Sequence, residues 1–145
     1  MDWDTYFMNI TKEIAKKSNC LKRQVGAILV LDNRIIATGY NGSPQGLPIN
    51  CLKNGVCLRQ NNKQGEGLEN CYAIHAEQNC LCQCAKYGIS SKGATLYTNT
   101  YPCNFCLRLL INSGIVEIVY LEDYNDPISK EIAKLSNIKI RKYEK

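Results

Sequence analysis

Two short stretches carry the residues able to do chemistry: His75-Ala76-Glu77, and Pro102-Cys103-Asn104-Phe105-Cys106. They supply one imidazole, two thiols and one carboxylate. A catalytic zinc takes three protein ligands of this kind and leaves its fourth position open. His75, Cys103 and Cys106 match that donor set. Cys103 and Cys106 are three residues apart, so at a helix start their side chains face the same way, one turn apart. A helix N-terminus and a divalent cation each favour thiolate over thiol. Glu77 is then the expected catalytic residue, a proton carrier beside a water whose pKa the metal brings from ~16 toward ~7. A carboxyl in that role must hold a proton in mid-cycle, which calls for a poorly solvated position that raises its pKa.

Neither half of the pattern suffices. A C-x-x-C pair beside βαβ patterning also describes a thioredoxin-like redox pair, or a purely structural metal. His75, however, is the only histidine in the chain, and a redox pair needs neither it nor Glu77. The spacing also differs from the H-E-x-x-H of metalloproteases.

The elements that must position these residues are legible as periodicities. Trp3, Tyr6, Phe7, Ile10, Ile14 and Ala15 recur at helical steps, with Lys12, Lys16 and Lys17 opposite, and predict a first helix ending near Ser18-Asn19. Strands over 25–31 and 34–40, separated by Asp32-Asn33, predict an antiparallel hairpin. Residues 41–70 read as a long irregular loop, ordered around metal because it carries Cys51 and Cys57. Beyond it, helices over 75–87, 103–112 and 127–136 alternate with strands over 94–98, 115–121 and 138–143. Such alternation predicts an α/β fold whose later strands are parallel, with helices on both faces. Ligands bind such sheets beyond strand ends, where helix N-termini point. Both chemical stretches fall at helix starts there.

Bulk properties narrow the class. The chain has 145 residues, enough for one compact domain over 1–145. Eighteen basic and thirteen acidic side chains give +5, which suits an anionic substrate without a dense basic block for nucleic acid. No apolar run approaches a membrane span, and the acidic Met1-Asp2-Trp3-Asp4 start lacks a signal-peptide layout, so the expected location is the cytoplasm. Nine cysteines, an odd count, point to metal rather than disulfides in a reducing compartment. Cys20, Cys51, Cys57 and Cys71 lie just outside regular elements and suffice for a second, structural zinc; the alternative is four reduced thiols. Cys80 and Cys84 share a helix face and read as small core residues.

H-x-E…P-C-x-x-C is the signature of zinc-dependent nucleobase deaminases. From first helix to last strand the chain resembles the deoxycytidylate (dCMP) deaminase family of the cytidine deaminase-like superfamily. The markers are Val25-Gly26-Ala27, Gly39-Tyr40-Asn41-Gly42-Ser43-Pro44 with Gly46, the site itself, and Ser113-Gly114-Ile115 leading into Tyr120 and Tyr124. The resemblance implies a three-layer α-β-α fold with a mixed five-stranded sheet. It implies hydrolysis of dCMP to dUMP and ammonia, feeding thymidylate synthesis. It assigns Asn41 to the sugar and base, Lys86 to the 5′-phosphate, Tyr124 to packing on the pyrimidine, and Ala76 to the substrate-binding set. A turn asparagine, a solvated lysine and a core tyrosine are the competing readings. Resemblance also implies a homo-oligomer, by family habit a hexamer. It further implies dCTP and dTTP effectors at Gly39, Tyr40, Asn41 and Gly42, with Mg²⁺ accompanying only such a triphosphate. The chain departs from the family where Cys80-Leu81 follows Asn79, and where Asn99 replaces a threonine. The alternative function is a deaminase fold acting on another cytosine- or adenine-containing substrate, or serving as a nucleic-acid-binding or uptake-associated module.

Overall fold

The structure, a computed structural model, describes residues 1–48, 51, 55 and 71–144. Among the described residues, four helices and five strands follow one another as α1 (Trp3–Ala15), β1 (Gly26–Leu31), β2 (Arg34–Tyr40), α2 (Ala76–Tyr87), β3 (Thr95–Thr100), α3 (Asn104–Asn112), β4 (Glu117–Glu122), α4 (Pro127–Leu135) and β5 (Lys139–Lys142). The strands form a single mixed sheet in the order β2-β1-β3-β4-β5. β1 runs antiparallel to β2 and β3, while β3, β4 and β5 are mutually parallel, as the alternation predicts. The β1–β2 turn has both Asp32 and Asn33 at positive φ, the conformation a two-residue hairpin of this twist requires.

Register sorts the side chains into two layers. Leu29, Leu96, Ile118 and Ile140 lie in one row across the sheet, and Ile28, Tyr97, Val119 and Arg141 in the next. The first row packs with Ala76, Cys80 and Cys84 of α2 and Leu107 and Leu110 of α3, and Ile132 of α4 joins them. The second packs beneath Phe7 and Met8 of α1. Helices therefore cover both faces. Cys80 and Cys84 are buried core thiols, as their shared helix face predicts.

Two glycines set how closely the helices approach. A Cβ on Gly39 would run into the Ala76 carbonyl and come within 2.9 Å of the Cys80 nitrogen, so β2 touches the backbone of α2 near its start. A Cβ on Gly26 would meet the Thr11 carbonyl, and α1 lies against β1 in the same way.

Element ends differ from expectation where side chains intervene. α1 stops at Ala15 because the last turn tightens: Lys16, Lys17 and Ser18 each donate to the carbonyl three residues back. Ser18 Oγ then donates to the Asn41 carbonyl. β3 runs to Thr100, two residues further than its apolar run, because Thr100 pairs with Glu122 of β4. Asn99, one of the departures from the family pattern, accepts the Gly26 N–H and donates to the Gln24 carbonyl, stitching β3 to the entry of β1. Among the described residues, no helix is long and apolar enough to cross a membrane.

α1 is fastened to the sheet by a polar contact as well. Arg141 on β5 donates to both Asp4 oxygens, at 2.6 and 3.0 Å, and to Glu117, while the Tyr97 hydroxyl donates to Asp4 at 2.7 Å. The Arg141 hydrogen bonds hold the Asp4 carboxyl below its ordinary value. Asp4→Ala should cost about 1–2 kcal/mol of stability at pH 7, read from denaturant unfolding. A depressed folded-state pKa contributes stability above the unfolded value and loses it as pH falls through the folded one. The gap between wild type and variant should therefore shrink on acidification below about pH 4.

Candidate active site

Each chemical stretch begins a helix. His75 is the N-cap of α2 and Cys103 that of α3, both with extended backbone, and Cys106 sits one turn into α3. The Gln78 side chain accepts the His75 N–H at 2.9 Å and fixes the entry to α2. Because α2 and α3 pack on the same sheet face, their starts converge. His75 Nδ1 lies 3.2 Å from Cys106 Sγ and 3.5 Å from Cys103 Sγ, and all three donor atoms fall within 4.8 Å of one another. A tetrahedral zinc with Zn–S ~2.3 Å and Zn–N ~2.0 Å sets its N···S edges at ~3.5 Å. The three residues fit the ion. Among the described residues they are the only group of side chains gathered in this way.

The electrostatics agree with the chemistry. Glu77, in the first turn of α2, is 5% exposed, and its burial raises the carboxyl above its usual range, against the opposing pull of His75. A hydrogen bond links it to the Cys106 sulfur, so the carboxyl stands beside the donor set. The Cys106 thiol donates to Cys103, which lowers Cys103 to about 4, with His75 helping. Cys106 is pushed up by holding that shared proton and by burial. One proton on two sulfurs is the charge state a dication displaces.

A cleft of about 360 Å³ opens above this floor. His75, Ala76, Glu77 and Cys103 line it below, and Asn41, Arg23, Lys22 and Tyr124 at its walls. Asn41 is 8% exposed; its Oδ1 accepts the Val25 N–H at 2.8 Å and its Nδ2 donates to the Arg23 carbonyl at 2.9 Å. It therefore clamps the segment that presents Arg23. The Arg23 guanidinium donates to Thr100 Oγ1 at 3.2 Å and lies 5.1 Å from the centre of the Tyr124 ring.

Several expected residues lie elsewhere. Lys86 is exposed in the last turn of α2, its ammonium 5.5 Å from the Tyr87 ring, and does not line the cleft. Eleven residues of helix separate it from His75 by ~16 Å. Gly39 is used in packing against α2; Gly42 pairs with Ile74 and packs on Asn19; the exposed Tyr40 accepts a hydrogen bond from Asn79 at its carbonyl. Of these, only Asn41 reaches the cleft. Cys20 and Cys71 line the cleft and Cys51 is half-buried, whereas Cys57 lies outside the described residues. Lys22 and Arg23 appear in the sequence only as basic residues at a helix exit. The available signal was their position one residue ahead of Val25-Gly26-Ala27, across Gln24.

Residues 1–122 match the family model described as the cytidine and deoxycytidylate deaminase zinc-binding region. The chain belongs to this family. A deoxycytidylate deaminase of Saccharomyces cerevisiae is 40% identical over 97% of the chain, which spans 45% of that relative's length. One from Mycobacterium phage D29 is 38% identical over 82% of the chain and 94% of its own. The dCMP deaminase of cyanophage S-TIM5, solved in complex with dCMP and dUMP, superposes with a TM-score of 0.80 at 27% identity, covering 96% of this chain and 95% of that one. The sheet order and helix placement are those of the cytidine deaminase-like fold, and a zinc-binding family suits a chain whose His-Cys-Cys group could hold a metal ion.

Replacing His75, Cys103 or Cys106 by alanine should lower zinc content by about one equivalent per chain, since three-ligand sites tolerate little ligand loss. Metal analysis of dialysed protein checks this.

Proposed function

We propose that the protein is a zinc-dependent dCMP deaminase, converting dCMP and water to dUMP and ammonia and so supplying thymidylate synthesis. The observation that carries the reading is one cleft joining the His-Cys-Cys group and the buried Glu77 to a cationic wall at Lys22 and Arg23. Zinc held by His75, Cys103 and Cys106 would supply Lewis acidity that makes water nucleophilic at neutral pH. Glu77 takes the proton of the attacking water and delivers it to ring N3 as the C4–O bond forms. It then takes the proton of the new C4 hydroxyl and gives it to the departing amine, so that the C4–N bond breaks, ammonia leaves and the C4 carbonyl forms. Burial keeps its carboxyl basic enough to hold the proton between these steps.

Binding follows from the walls. Tyr124 offers a ring face to the pyrimidine, and Asn41 keeps one lone pair and one N–H for the sugar or base while clamping the Arg23 segment. Arg23 presents a fork suited to phosphate, a role its place in the cleft favours over that of the distant Lys86. Around this centre we place a single cytoplasmic deaminase domain forming a homo-oligomer that answers to dCTP and dTTP, the triphosphate carrying Mg²⁺. A sigmoidal dCMP response that dCTP makes hyperbolic is the expected sign of that regulation. A second zinc at Cys20, Cys51, Cys57 and Cys71 should survive in Cys103→Ala as one residual equivalent per chain.

Ammonia release from dCMP, deoxycytidine, cytosine and single-stranded DNA tests the substrate. A charge-assisted phosphate contact is worth ~1.5–3 kcal/mol, so kcat/KM for dCMP should exceed that for deoxycytidine by ~10- to 150-fold. Arg23→Ala should remove most of that preference through KM and leave deoxycytidine turnover unchanged. Glu77→Gln should lower kcat by ~10²–10⁴ while retaining zinc. Preference for an unphosphorylated substrate or for DNA would overturn the assignment.

A further inference from the structure

α3 starts on a residue whose side chain is committed elsewhere. Cys103 stands at the N-cap, where a serine or aspartate would accept hydrogen bonds from the first-turn N–H groups. Its sulfur lies instead against His75 Nδ1 and beside the Cys106 N–H, while the Asn104 N–H takes its acceptor from another helix. The first N–H groups of the helix still need acceptors.

An acceptor comes from the start of another helix. Asp126 Oδ2 accepts the Asn104 N–H at 2.8 Å and the Asn104 side-chain amide at 3.0 Å. Oδ1 of the same carboxylate accepts the Ser129 N–H at 3.0 Å and caps α4. Ser129 Oγ in turn donates to the Pro102 carbonyl at 2.8 Å. Both chain neighbours of Cys103, Pro102 and Asn104, are thus tied to the first turn of α4. Asp126 is 9% exposed and Ser129 fully buried, so water competes little for these bonds.

We propose that Asp126, with Ser129, is a positioning residue for the metal ligands, accepting the first-turn N–H of Asn104 that Cys103 does not serve and holding the Cys103 sulfur in place beside His75 and Cys106. The carboxylate form matters because one group must accept from both sides. An asparagine would turn an NH₂ toward one set of donors. The inference rests on the reading of His75, Cys103 and Cys106 as a zinc site. It extends to the aromatic wall, since Tyr124 precedes Asp126 by two residues on the same loop.

Zinc release from the loaded full chain into excess chromogenic chelator, followed without denaturant, tests it. Outer partners of metal ligands typically change affinity ~10–100-fold. Asp126→Ala should release zinc at least tenfold faster than wild type, and Asp126→Asn by an intermediate factor. Asp4→Ala, which loosens α1 from β5, should stay within twofold and so separates positioning from general destabilisation. If Asp126→Ala does not fold, Ser129→Ala should release zinc at least threefold faster. Wild-type release from Asp126→Ala, or from Ser129→Ala where that variant stands in, overturns the proposal, as does equal acceleration by Asp4→Ala. A wild-type chain that holds no zinc overturns the underlying metal reading, whereas a zinc-loaded wild type with an unmoved Asp126→Ala overturns the brace alone.

Discussion

A helix start can turn its first side chain back onto its own N–H groups or outward to another element, and at Cys103 the sulfur faces His75 Nδ1. Much of the site's surroundings follows from that constraint. The N-termini of α2 and α3 must converge, which requires both helices on one sheet face and β2 close enough to α2 that Gly39 has no room for a Cβ. Gln78 fixes the entry to one helix from within, and Asp126 supplies the acceptor to the other from outside. Charge follows geometry. The Cys106 thiol and the imidazole favour thiolate at Cys103, while burial raises the Glu77 carboxyl above its usual range.

The walls of the cleft are built by contacts between distant parts of the chain. Asn41, at the end of β2, holds the backbone on either side of Gln24, and Arg23 reaches Thr100 at the end of β3 and the Tyr124 ring beyond β4. A loop from one side of the sheet thereby meets a loop from the other above the floor of the site. An anion entering there meets a guanidinium whose partners among the described residues are a neutral hydroxyl and a ring face. Both are weaker attractions than phosphate offers.

Much of this was legible in the sequence. The strand alternation, the parallel half of the sheet and the helix starts at both chemical stretches follow from hydrophobic period and from Pro102 and Gly88, which bound their helices. The donor set followed from residue types, because a lone histidine and a C-x-x-C pair leave few other uses. Cation placement did not follow. Lys86 has the right chemistry on the right helix, yet helical rise carries it away from the cleft. Arg23 is brought in by hydrogen bonds to partners 18 and 77 positions away. Asp126 was equally hidden, since its tie to Asn104 spans 22 positions and exists only once α3 and α4 pack together. Local pattern carries elements and residue types; non-local hydrogen bonds decide which side chain lines the cleft.

The coordination of the metal is the most direct measurement. Zinc K-edge X-ray absorption on protein carrying one zinc per chain, with Cys51 and Cys57 replaced by serine to remove the proposed second site, should show two sulfurs at ~2.3 Å and two nitrogen or oxygen atoms at ~2.0–2.1 Å. That is one imidazole, two thiolates and one open position filled by solvent. A shell of four sulfurs would place the ion among the remaining cysteines and contradict a catalytic centre at the two helix starts.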